Sequence, residues 1–169
     1  MGACNCKSNN PEQREISAFR REALQSHNEY RAKHGVPALK LNPRLCKMAQ
    51  DWAEHIVSTG TMEHSDKNKR KINGEYVGEN IYHKMFSSND NSAIKNYNFS
   101  GTDCIKTWYD ENTKYDFESP GFSNETGHFS QLVWKGTREL GIGVVVVRKE
   151  NRVDYYIVGN YLPGGNINS

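Results

Sequence analysis

An α+β fold follows from the order in which hydrophobic patterns change along the chain. Apolar residues first recur at three- and four-residue steps, and only later come two β-branched and aromatic runs, Leu140 to Val147 and Val153 to Tyr161, joined by the polar turn Lys149-Glu150-Asn151-Arg152. Gly141-Ile142-Gly143 leads into a strand rather than opening a helix, so its partial likeness to a dinucleotide fingerprint is spurious. Helices first and a hairpin near the end suit a layered α+β domain better than a doubly wound sheet.

At 169 residues the chain reads as a single domain over residues 13–169 behind a tail of residues 1–12. A domain of that size removes roughly 70% of the unfolded chain's surface from water and needs no staples. The 22 basic and 20 acidic residues nearly cancel, which excludes the dense positive footprint of a nucleic-acid binder. No run has the length of a membrane span and no signal-type apolar stretch follows the first charge, so the expected location is intracellular. Cys46 and Cys104 fall far apart inside expected helices and are read as reduced thiols.

The tail ends at Pro11 and shows no periodicity. Gly2 is placed for N-myristoylation and Cys4 and Cys6 for palmitoylation, although Cys6 takes the position where Ser or Thr is usual. A first helix carries Ile16, Phe19, Ala23, His27 and Tyr30 on one face and closes at His34-Gly35. Asn42-Pro43 caps a second, whose stripe of Leu45, Met48, Ala49, Trp52, Ala53 and Ile56 runs up to Gly60. The charge run Lys67 to Lys71 is an exposed loop, and the Asn-, Ser- and Lys-rich stretch from His83 to Gly101 is expected to be disordered. Thr102-Asp103 is expected to cap a third helix bearing Ile105, Trp108 and Tyr109, with Glu111 near its end. Gly127-His128-Phe129-Ser130-Gln131-Leu132-Val133-Trp134 mixes bulky apolar groups with one histidine, which suits a half-buried segment with a polar tip in a cleft.

His64, Glu79, Glu111 and His128 all stand at the edges of these elements, beside small or turn-forming residues. Two imidazoles and two carboxylates can bind Zn²⁺ with water completing the tetrahedron, or can hydrogen-bond one another across a cleft. The residue types alone leave both open.

Four separated motifs give the chain a specific resemblance. Gly127 to Trp134 resembles the first signature of the CAP superfamily, also called SCP/TAPS or pathogenesis-related-1-like, and Tyr156 to Ile167 resembles the second. His27-Asn28-Glu29-Tyr30-Arg31 and Gly78-Glu79-Asn80-Ile81 match the other two. The resemblance implies an α-β-α sandwich with a small antiparallel sheet between helical layers, and a cleft lined by the tetrad His64, Glu79, Glu111 and His128. Gly159 stands where secreted members usually carry a cysteine, which with the Gly2 start makes the chain similar to the intracellular, Golgi-associated branch. Tyr115, Phe117 and Phe122 follow the aromatic spacing of a caveolin-binding motif, which in CAP proteins is associated with sterols. By the residues alone, Phe117 and Phe122 bracket Pro120-Gly121, and at least one of these rings is expected to pack the turn onto the core.

The function expected is a non-enzymatic module that binds membrane lipid, sterol or phospholipid, on the cytosolic face of Golgi or other membranes through N-terminal acylation; secretion without a signal peptide stays open. Its metal would be Zn²⁺ or another divalent ion on His64 and His128. The alternatives are a metal-dependent hydrolase, with Glu79 or Glu111 as general base, and a scaffold that takes a protein partner in the cleft. A homodimer is compatible with each.

Overall fold

The computed structural model describes residues 10–167. Helix α1 (Pro11–Lys33) begins inside the expected tail, because the Asn10 side chain accepts the Glu12 N–H and Pro11 occupies the first turn. The tail is therefore shorter than residues 1–12; Gly2, Cys4 and Cys6 lie outside the described residues. Strand β1 (Lys40–Leu41) leads to α2 (Pro43–Thr59), which starts on the Asn42 cap and stops at Gly60, in the left-handed region at φ 70°.

A short ribbon of β2 (Lys71–Ile72) and β3 (Glu75–Tyr76) precedes the long strand β4 (Gly78–Ser87). The stretch from His83 to Gly101 is thus not disordered: β4 runs through its first part and helix α3 (Asn91–Asn96) follows. Buried Ile94, a Phe86–Tyr97 ring stack at 4.1 Å and Arg148 donating to the Ile94 and Tyr97 carbonyls bind it to the domain. Helix α4 (Gly101–Asp110) is capped by Ser100 in a reciprocal box with Asp103, two residues ahead of the expected Thr102-Asp103 start. Glu111–Lys114 forms a 3₁₀ turn, then come α5 (Gly127–Leu132), β5 (Glu139–Lys149) and β6 (Arg152–Leu162).

The main sheet has the order β1-β5-β6-β4, antiparallel except for the short parallel pairing of β1 with β5. One face, with Leu140, Ile142, Tyr155, Ile157 and Tyr161, packs on Phe19 and Ala23 of α1 and Ile105 and Trp108 of α4. On the other, Val158 meets Ala49, Ala53 and Ile56 of α2. The result is an α-β-α sandwich. Gly141 and Gly143 have a packing role, since a Cβ on either would strike the α2 backbone at Leu45 or Ala49. Cys46 and Cys104 are buried and unpaired, and burial raises the Cys104 thiol well above its ordinary range.

Candidate functional site: two histidine–glutamate pairs lashed to one strand

His64 lies on the loop after α2, pinned beside it by Trp52 Nε1 donating to the Glu63 carbonyl at 3.0 Å. Its Nδ1 meets Glu79 Oε1 at 2.9 Å. The Glu79 carboxylate is nearly inaccessible and fully engaged: Ser65 donates its N–H at 2.9 Å and its hydroxyl at 2.6 Å, and Arg70 adds a contact at 3.2 Å. Burial would raise its pKa, but the bonds from His64 and Ser65 and the Arg70 charge outweigh that and hold the carboxyl below its ordinary value. Arg70 is itself fixed by the Val77 and Ser65 carbonyls.

The second pair comes from the junction of α4 and α5. His128 Nδ1 meets Glu111 Oε1 at 2.6 Å, and the Phe129 N–H binds the other oxygen at 3.0 Å. The His128 ring stacks on Trp108 with centroids 5.7 Å apart, and its Nε2 reaches the Ile81 carbonyl at 3.1 Å. Both ring nitrogens face oxygen atoms that can accept.

Strand β4 joins the pairs through consecutive residues. Glu79 holds His64, Asn80 donates to the His128 carbonyl and to the Tyr161 hydroxyl at 3.2 Å each, and the Ile81 carbonyl receives the His128 ring. Gly78 completes the motif, because a Cβ there would strike the Gln131 side chain of α5. The Gly-Glu-Asn-Ile run is thus one device that sets both pairs.

The His-Asn-Glu-Tyr-Arg run of α1 works behind the cleft. Buried His27 donates Nδ1–H to the Ala23 carbonyl at 2.7 Å and so accepts the Tyr161 hydroxyl at Nε2, at 2.8 Å. Asn28 pairs with both backbone groups of Leu39. Buried Arg31 donates to the carbonyls of Pro37, Leu132, Trp134 and Thr137 at 2.7 to 3.0 Å, clamping the C-terminal end of α5. Desolvation lowers its pKa to about 10. None of these was anticipated in the site: His27, Asn28 and Arg31 carried the signal of a shared motif and Ser65 that of adjoining His64, whereas buried Arg70 carried none, since it lies in the charge run expected to be an exposed loop.

Two cavities share Ile167 as a wall. One of 620 Å³ is lined by His64, Glu79, Arg70, Phe122 and Asn166; Glu111 and His128 do not line it. The other, 710 Å³, lies beneath the loop that carries the expected aromatic motif and is lined by His34, Tyr115, Phe117, Phe129 and Trp134. Phe117 and Phe122 are 58% and 56% exposed, so neither ring is itself buried, but Phe117 packs edge-on against buried Phe129 with centroids 6.2 Å apart and so rests the turn on the core.

Among the described residues no three His, Cys, Asp or Glu side chains converge as a metal cage. The donor chemistry nevertheless fits a weaker site, because each histidine turns Nδ1 to a glutamate, the arrangement that orients an imidazole for a metal at Nε2. His64 Nε2 has no partner among the described residues, whereas His128 Nε2 would exchange Ile81.

The sequence profile of the cysteine-rich secretory protein family, CAP, matches residues 24–161. The chain belongs to the CAP family. It is 36% identical over 149 residues to Golgi-associated plant pathogenesis-related protein 1 of Homo sapiens, covering 88% of this chain and 85% of that protein. Repressed by EFG1 protein 1 of Candida albicans is 35% identical, and the chain spans 47% of its length. The crystal structure of NaASP2 with Zn²⁺ superposes with a TM-score of 0.65 at 21% identity, covering 90% of this chain and 84% of that one. In this CAP domain Gly159 lies under Trp108, whose ring atoms a Cβ would meet at 3.3 Å. Among the described residues no helix is long and apolar enough to cross a membrane.

Proposed function

We propose that this CAP domain is a non-enzymatic, membrane-associated protein that takes lipid, a sterol or the acyl region of a phospholipid, at its aromatic loop. The observation that supports this is the clustering of exposed apolar side chains: Phe117, Phe122 and Ile167 are half exposed, and each lines one or both of the adjoining cavities. Exposed apolar side chains grouped around adjoining cavities mark an interaction site. N-terminal acylation at Gly2, with Cys4 or Cys6, supplies the second attachment, since one myristoyl chain alone binds membranes only marginally. The cytosolic face of Golgi membranes is the location this reading favours, and the name of the human relative agrees with it.

The chemistry of the pairs supports a non-catalytic cleft. Both oxygens of Glu79 and of Glu111 are occupied by donors, which leaves neither carboxylate poised to remove a proton from water. A divalent metal on His64 and His128, the role suggested by their Nδ1–glutamate bonds, would then be structural or regulatory. NaASP2, crystallised with Zn²⁺, shares the fold.

Flotation on phosphatidylcholine vesicles with and without sterol tests the lipid reading. The acylated wild type is expected to float with sterol dependence. Phe117→Ser/Phe122→Ser should lose that dependence, and Gly2→Ala should shift the protein to the soluble fraction. Sterol-dependent flotation that survives loss of both rings would remove the aromatic loop from the mechanism.

A further inference from the structure

Every residue from Asp116 to Glu125 is exposed, and among the described residues none of 116–122 makes a backbone–backbone hydrogen bond. One side chain shapes the first turn of this loop: Asp116 Oδ1 accepts the Glu118 N–H at 3.0 Å and the Ser119 N–H at 3.2 Å. The Ser119 hydroxyl has no hydrogen-bond partner among the described residues. Of the five prolines in the chain, only Pro120 follows a serine or threonine. Proline fixes its own φ and favours extended backbone at the residue before it, the form in which a protein kinase takes a substrate segment. Pro120 and Gly121 line the 710 Å³ cavity together with Phe117 and Trp134. Ser119 thus falls in the chain between the two exposed rings, Phe117 and Phe122, beside the wall of that cavity.

We propose that Ser119 is a regulatory phosphorylation site for a proline-directed serine/threonine kinase, and that the modification switches off lipid uptake at the aromatic loop, the second half resting on the lipid reading above. In the transfer, Ser119 Oγ attacks the γ-phosphorus of ATP. The new O–P bond replaces the bond to the ADP oxygen, and the hydroxyl proton passes to the catalytic carboxylate of the kinase. The product carries a charge of about −1.5 to −2 at neutral pH. That charge stands among its own kind: Asp116 is bonded to the Ser119 N–H and Glu118 adjoins it, so the phosphate works against the turn that Asp116 holds. Lys114, the cation nearest in sequence, is already engaged by Glu125 at 3.5 Å. Phe117 packs on Phe129 with centroids 6.2 Å apart, so a turn that opens carries this ring off the core. Insertion of Phe117 and Phe122 into lipid also brings Ser119 to the same depth, where a hydroxyl is tolerated and a dianion is not.

Treatment of the full-length acylated protein with a proline-directed kinase and magnesium ATP tests the assignment. Peptide mapping by mass spectrometry should place one phosphate on Ser119 of the folded wild type and none on that loop in Ser119→Ala. On phosphatidylcholine vesicles with sterol, the modified protein should lose roughly tenfold in sterol-dependent flotation. Ser119→Ala treated in the same way should float as the unmodified wild type does. Amide spectra recorded without lipid should show Phe129 and Trp134 shifting on modification, since both line the cavity beside the loop. A folded chain left unmodified at Ser119 would overturn the assignment. A phosphorylated protein with undiminished sterol-dependent flotation would overturn the switch, whatever its amide shifts. An unmodified protein with no sterol dependence sinks the lipid reading instead; mapping and the amide spectra then decide the site, and unchanged Phe129 and Trp134 signals would count against it.

Discussion

At the scale of single residues, two buried groups set how the protein responds to acid. His27 is held neutral: burial lowers its pKa from 6.5 to about 4, with the Arg31 charge acting in the same direction. The unfolded chain takes up this proton first, so the stability from neutral His27 is complete above pH 6.5 and drains away as pH falls toward 4. The loss amounts to about 3 kcal/mol at roughly 1.4 kcal/mol per pH unit. Glu79 acts lower down. Its depressed pKa contributes stability above the ordinary value of 4.5 that is lost as pH falls through the folded value. Urea unfolding at a series of pH values should therefore show stability falling from pH 6.5 downward. Glu79→Gln should flatten the slope below 4.5 while leaving the His27 limb in place. Curves for wild type and Glu79→Gln that run parallel at every pH would mean that the His64, Ser65 and Arg70 bonds do not favour the ionised carboxylate.

At the scale of elements, α2 lies directly against the start of β5. A methyl group on Gly143 has no room beside the Ala49 backbone, so Gly143→Ala must lift α2 from the sheet. It should cost about 1–3 kcal/mol, read as a lower urea midpoint with an unchanged m-value. A neutral effect would show that the helix can shift without loss of packing. Helix α2 was legible in the sequence because its caps, its stripe and its breaker agree. Strand β4 was not, because Asn80, His83 and Lys84 interrupt the alternation: Asn80 is buried in hydrogen bonds with Tyr161 and His128, and His83 bonds Asp154 at 2.7 Å. Missing β4 also hid the site's construction. The four tetrad residues could be named from their types and turn-edge positions, but their division into His64–Glu79 and Glu111–His128 is imposed by that strand. Helix α5 is too short for a period to register, and it has no side-chain N-cap; Arg31 and Asn80 hold it from outside, and its own Gln131 accepts the Gly165 N–H.

At the scale of the whole molecule, the two pairs stand on separate walls, His64 on the loop after α2 and His128 on α5, and both are referred to β4. A divalent ion held by both imidazoles would tie these walls in the folded state alone, and a ligand confined to the native state stabilises it by mass action. At free zinc about 100 times Kd the gain is about 2.7 kcal/mol, a rise in Tm of roughly 5–10 °C for a chain of this length. Protons compete for the same nitrogens, so the rise should shrink as pH is lowered through the histidine range. His128→Ala should abolish most of it, whereas Glu111→Gln, which removes only the orienting charge at Nδ1, should reduce it. The measurement belongs in a Cys4→Ser/Cys6→Ser background, because paired tail thiols are themselves zinc ligands. An equal zinc-induced shift in wild type and His128→Ala would place the ion elsewhere and leave the pairs as hydrogen-bonded struts between the two walls and β4.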